Sequence, residues 1–180
     1  MNEEARDVVQ ASDVLEEVDR RAIDAALNFL SYRQRTGQEV ERKLASRGFS
    51  EQAIGSAMRR LGAVGLVDDE AFVAAFVRDR IAHQPMGVRR MVRDLYQKGI
   101  AREVSEPVIL KVFQDENTDE RELARRVIEK KRRTLASRSG DVRILRRRFR
   151  DHLIRRGFGG RLVSDVVNEL FSENDSVDDE

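Results

Sequence analysis

The stretch Gly65-Leu66-Val67-Asp68-Asp69-Glu70-Ala71-Phe72-Val73-Ala74-Ala75-Phe76-Val77-Arg78-Asp79-Arg80 decides the fold. It begins with a helix stop and runs directly into a helix start. Gly65 follows the apolar-patterned run from Met58 to Ala63 and can take the left-handed conformation that ends a helix. Asp68 or Asp69 can cap the free N–H groups of the next helix, and Glu70 sits at that helix's positive end. Phe72, Phe76 and Val77 then share one apolar face, with Val73 on its flank. The stretch carries no catalytic chemistry. It is a joint between two helical units, and similar units lie on both sides of it.

The composition agrees. Of 180 residues, 37% are charged, well above the usual quarter, while only 6% are aromatic and none is Trp. That balance suits thin helical layers better than one thick core, and no strand pattern stands out. With no Cys there is no disulfide, thiolate metal site or cysteine nucleophile. No run of about eighteen apolar residues suggests a membrane span. The first residues are acidic rather than basic-then-apolar, so no secretory signal is expected and the expected location is cytoplasmic.

The net charge of +1 hides a segregation. Residues 1–19 hold seven acids against Arg6, and residues 162–180 hold seven acids and no base. Residues 120–161 hold sixteen bases against five acids, a local +11. Such a segment points to a polyanion or an acidic protein as partner, against the plainer reading of a solvated helical surface. The acidic ends can fold back to screen it.

An internal repeat extends from the joint. Three glycine–hydrophobe pairs anchor it: Gly48-Phe49, Gly99-Ile100 and Gly157-Phe158. Four residues before each glycine stands Leu44, Leu95 or Leu153, and eight before stands Val40, Met91 or Phe149. Downstream, Ala57, Val108 and Val166 correspond, as do Met58, Ile109 and Val167, and Leu61, Val112 and Leu170. An amphipathic helix precedes each pair: residues 20–35, residues 72–82 and residues 120–135. Each unit is thus two helices, a glycine corner and a third helix. The expected divisions are an acidic lead-in at 1–19, disordered or a short helix, repeats at 20–65, 66–114 and 118–171, and an acidic disordered tail at 172–180. The fold class is all-α, tandem three-helix repeats stacked into an elongated, curved rod. Pro107 implies that the third helix of the middle unit starts late, with Ser105 as cap and Pro107 in the first turn. Gly55, inside the matching helix of the first unit, suggests close helix packing.

The chain resembles the RecX family of bacterial regulatory proteins. The matching residues are Ala26-Leu27-Asn28-Phe29-Leu30-Ser31-Tyr32-Arg33, then Leu44 with Arg47-Gly48-Phe49, then Leu61 leading to the joint with its trailing Val77-Arg78-Asp79-Arg80, then Gly87, and Leu95-Tyr96-Gln97-Lys98-Gly99-Ile100. The likeness spans about residues 20–171. The joint is its most specific part, and the third unit matches least well. The resemblance implies tandem three-helix repeats. It implies binding to the RecA recombinase and its filament on single-stranded DNA, with restraint of filament growth and of the ATPase, strand-exchange and co-protease activities. It also implies roles in DNA repair, recombination and the SOS response, often with direct DNA affinity.

The residues themselves name candidate contacts. Arg125, Arg126, Lys130, Lys131, Arg132 and Arg133 fall on one helix; Arg143, Arg147 and Arg150 fall on the next, with Arg155 and Arg156 closing it. On that second helix Val142, Leu145, Phe149 and Leu153 form the apolar stripe, so Arg143, Arg147 and Arg150 should point outward. Arg146 and Arg148 flank the stripe and are placed to snorkel. Arg78 and Arg80, beyond the joint, are further candidates. Cations near a phosphate backbone release counterions, which makes binding fall with salt. Few aromatics accompany the basic run, so base stacking has little support.

Asp68-Asp69-Glu70 reads as capping rather than a metal site. His83 and His152 lack any metal-ligand context, and Tyr32 and Tyr96 read as core or rim residues of helices. No phosphate loop, nucleophile elbow or metal signature occurs, so no enzyme, cofactor or metal is expected. A monomer is the default. The alternative function is a helical DNA-binding protein acting through the basic third repeat without a recombinase partner; an adaptor for another protein stays open.

Overall fold

The computed structural model describes the backbone of residues 3–135 and 142–175, and the side chains of residues 16–132 and 142–172. Among these residues the chain forms nine α-helices and no strand: α1 Glu3–Leu30, α2 Gly37–Ser46, α3 Glu51–Ala63, α4 Asp69–His83, α5 Val88–Tyr96, α6 Arg102–Asp115, α7 Glu120–Leu135, α8 Val142–Arg155 and α9 Gly160–Asp175. The chain divides into two compact units, one of Met1–Phe72 with Lys98–Ile100, the other of Val73–Gln97 with Ala101–Glu180.

In the first unit α1, α2 and α3 enclose Ala22, Ala25, Ala26, Val40, Leu44, Ala53, Ala57 and Leu61. Alanines on the facing sides of α1 and α3 let the two helices approach closely, and Leu44 and Leu61 supply the larger buried surface, each worth about 1.5–3 kcal/mol. The first helix differs from the expected 20–35. It runs back to Glu3 because no Gly or Pro interrupts the lead-in. It stops at Leu30 because Thr36 is needed, extended and fully buried, as the cap of α2. Thr36 and Glu39 form a reciprocal capping box, and Glu39 also binds the Arg33 guanidinium at 3.1 Å.

The glycine corners are left-handed, with φ of +82° at Gly48, +90° at Gly99 and +87° at Gly157. Phe49 N–H donates to Leu44 O at 3.4 Å and Phe158 N–H to Leu153 O at 3.2 Å, the long bond that closes a helix end. Ile100 and Phe158 are fully buried beneath their corners; Phe49 is half-buried.

The joint caps two helices with its two aspartates. Asp68 Oδ1 accepts from Ala71 N–H at 2.9 Å, capping its own α4. Asp69 Oδ1 accepts at 2.9 Å from Gly37 N–H, the first donor of α2. The second unit repeats this device. Asn117, at φ +47°, takes the place of Gly65, and Thr118 N–H donates to Phe113 O at 2.9 Å. Asp119 Oδ1 accepts from Glu122 N–H at 2.7 Å, and Glu120 Oε1 accepts from Val88 N–H, the first donor of α5, at 3.0 Å. The corners dock equivalently: Thr36 Oγ1 donates to Lys98 O at 2.7 Å, and Gly87 N–H donates to Arg156 O at 3.0 Å.

Several sequence expectations need correction. Helix α6 begins at Arg102 with Ala101 as cap, so Pro107 is interior and Ser105 does not cap; the buried Ser105 Oγ donates to Arg102 O at 3.3 Å. Buried Ile100 fixes the start, and an Arg102–Glu106 ion pair at 2.7 Å spans the first turn. Pro107 lies close enough to that end to forfeit only the bond to Glu103 O. Gly55 makes no close helix contact, since a Cβ there would meet only Arg59 Nη1, at 3.5 Å. Val73 is fully buried, while Phe76 is half-buried under the Arg80 guanidinium, 4.6 Å from the ring centre. The long link ahead of α8, residues 136–141, and the tail at 176–180 lie outside the described residues.

Candidate nucleic-acid interface

Helices α7, α8 and α9 pack against one another in the second unit. Their core is Leu123, Ala124, Val127 and Ile128 of α7, Phe149 and Leu153 of α8, and Val163, Val166, Val167 and Phe171 of α9. That burial decides where the cations point. Arg143, Arg147 and Arg150 are exposed on α8, as are Arg148 and Arg155. Arg146 is half-buried and its guanidinium lies 5.0 Å from the centre of the Phe171 ring. Val142, expected in the stripe, is exposed at the first position of α8.

Other candidates already have partners. Arg125 Nη2 meets Glu169 Oε2 of α9 at 3.0 Å, and Arg121 bridges Glu169 and Asp165. The Arg125 hydrogen bond, with Arg121 beside it, holds the Glu169 carboxyl below the usual carboxylate range. Arg78 binds Glu116 at 3.0 Å, and Arg80 binds Asp79 at 2.7 Å as well as covering Phe76. Arg126 is half-buried, Arg132 is exposed, and the Arg133 side chain lies outside the described residues.

Three candidates converge with a fourth residue that sequence reasoning set aside. Lys130 and Lys131 of α7, His152 of α8 and Arg156 after it line an open cleft of about 210 Å³, floored by Val127. Burial, then the neighbouring Arg156, Lys131 and Arg155, push the His152 imidazole below its ordinary value. The signal for His152 was its place one turn before Arg156, on the side of α8 that α7 meets. Tyr32 and Tyr96 are 85% and 69% exposed, so neither is a core residue. No helix among the described residues is long and apolar enough to cross a membrane.

Comparison with known proteins gives this arrangement its context. Residues 22–61 match the family model for the first three-helix domain of RecX, and residues 68–108 match that for the second. The regulatory protein RecX of Mycobacterium avium is 32% identical over 150 residues, covering 83% of this chain and 84% of that protein. The chain belongs to the RecX family. RecX of Prosthecochloris aestuarii is 28% identical over 153 residues, 85% of this chain and 95% of the relative. The crystal structure of RecX from Lactobacillus salivarius aligns with a TM-score of 0.74 at 26% identity, over 86% of this chain and 97% of that one. The all-α repeat architecture is therefore a RecX architecture, in a family of regulatory proteins. The two matched RecX domains end at residue 108, so the cation-rich α7–α9 group lies beyond both.

Proposed function

We propose that this chain is a regulatory protein that binds the RecA recombinase and its filament on single-stranded DNA. It restrains filament growth and, with it, the ATPase, strand-exchange and co-protease activities. It acts in the cytoplasm as a monomer, by occupancy and without catalysis of its own. RecX membership supports the regulatory role. The observation that carries the nucleoprotein target is the α7–α9 group, where exposed Arg147 and Arg150 join the Lys130–Arg156 cleft on one helical module. Such a surface favours a polyanion through counterion release.

The test is a titration of purified protein into a RecA–single-strand ATPase assay. Inhibition at substoichiometric amounts is expected; an unchanged rate across the titration removes this reading. The second reading, a DNA-binding protein with no recombinase partner, draws on the same cations. It predicts salt-sensitive DNA binding together with an unaffected ATPase.

A further inference from the structure

The cleft between α7 and α8 brings together Lys130, Lys131, His152 and Arg156, and none of the described residues that line it is a carboxylate. Arg156 is anchored there. Its Nη1 donates to Pro85 O at 3.0 Å, and its own carbonyl accepts Gly87 N–H at 3.0 Å. At about 210 Å³ the cleft is smaller than the roughly 300–1,000 Å³ of small-molecule pockets, yet it has room for a phosphate group. Among the described side chains, the acids of α9 are Asp165 and Glu169, and these are held at Arg121 and Arg125.

We propose that this cleft seats one phosphate of a DNA backbone, with Lys130, Lys131 and Arg156 supplying charge and His152 donating from its protonated imidazole. The inference rests on the nucleic-acid reading above and adds to it a place and a proton. Among the described residues, the charged groups that bear on the imidazole are Arg155 of α8, Arg156 just after it and Lys131 of α7, with Arg90 of α5 reaching the Arg155 carbonyl at 3.4 Å. In the free protein these cations oppose the imidazolium. A seated phosphodiester reverses their effect, so binding takes up a proton. Affinity then rises as pH falls through the range where the imidazole titrates, approaching about tenfold per pH unit for one linked proton.

The experiment is an anisotropy titration of the full chain with a labelled oligothymidine from about pH 8 to about pH 6 at fixed salt. The wild type should bind more tightly on acidification, and His152→Gln should lose that gain. Lys130→Ala should weaken binding about threefold at all pH values and lower the salt slope by about one. Equal pH slopes for wild type and a folded His152→Gln overturn the proposal. Should that variant fail to fold, the NMR titration of His152 in the wild type replaces it: its midpoint must rise when DNA is added, and an unmoved midpoint overturns the proposal. A midpoint that rises with inorganic phosphate but not with DNA assigns the cleft to a free anion and also overturns it. The ATPase assay stands apart from these measurements, so failure of RecA inhibition and failure of the phosphate seat are read separately.

Discussion

A methyl group at Gly87 has nowhere to go: its carbon would lie 2.3 Å from Gly157 O and 2.5 Å from Phe158 N, both backbone atoms. Gly87→Ala is therefore expected to cost about 3 kcal/mol or more in urea unfolding, since two main chains must separate. Gly55 is the opposite case. With only the Arg59 side chain nearby at 3.5 Å, Gly55→Ala is expected to stabilise by about 0.5–1 kcal/mol in the same measurement. Glu39 sets an acid limit on the first unit. Burial raises its pKa, but the Arg33 hydrogen bond and charge, Lys98 and the Thr36 N–H outweigh that and hold it below 4.5. A depressed carboxylate contributes stability above its unfolded pKa and loses it as pH falls through the folded value. Glu39→Gln should therefore unfold with a flatter pH dependence below about pH 4.5 than the wild type, measured as melting temperature against pH.

At the scale of elements, the feature that matters is a helix whose first donor is satisfied by another helix's first residue. Gly37 N–H of α2 depends on Asp69 of α4, and Val88 N–H of α5 depends on Glu120 of α7. Asp69→Ala leaves the buried Gly37 donor without its acceptor and should cost about 1–3 kcal/mol. Asp68→Ala removes only the local cap of α4 and should cost about 1 kcal/mol. Equal losses in chemical denaturation would count against the cross-helix role. Glu120 carries the opposite sign to Glu39: burial raises its pKa, against the smaller opposing effects of the Val88 hydrogen bond and Arg89. Its contribution is full below the unfolded pKa and is lost as pH rises through the folded value. Glu120→Gln keeps the acceptor without the charge, so its stability relative to wild type should rise with pH through that window.

At the scale of the whole molecule, charge is sorted rather than merely abundant. The described acids of the C-terminal segment, Asp165 and Glu169, neutralise Arg121 and Arg125, which leaves Arg147 and Arg150 to present charge to solvent. Alanine at Arg147 or Arg150 should therefore lower the slope of log affinity for DNA against log salt by about one each. Arg125→Ala should leave that slope unchanged and lower the melting temperature instead. Anisotropy titrations across a salt series, paired with thermal melts, separate the two effects.

What depends on neighbours a few residues apart could be read from the amino-acid order. The apolar period of each helix, the left-handed corners at Gly48, Gly99 and Gly157 and a cap of α4 at Asp68 or Asp69 follow from backbone sterics and local hydrogen bonds, and the structure assigns that cap to Asp68. The corner that Asn117 makes was legible in principle, because Asn is the next residue after glycine to accept that conformation. Helix packing was needed to show that Asp69 caps α2 from 32 residues away, that Glu169 occupies Arg125 across 44, and that His152 joins the lysines of α7. Those pairings are set by which faces meet when the helices pack, and a helical period repeats the same way whichever neighbour it meets.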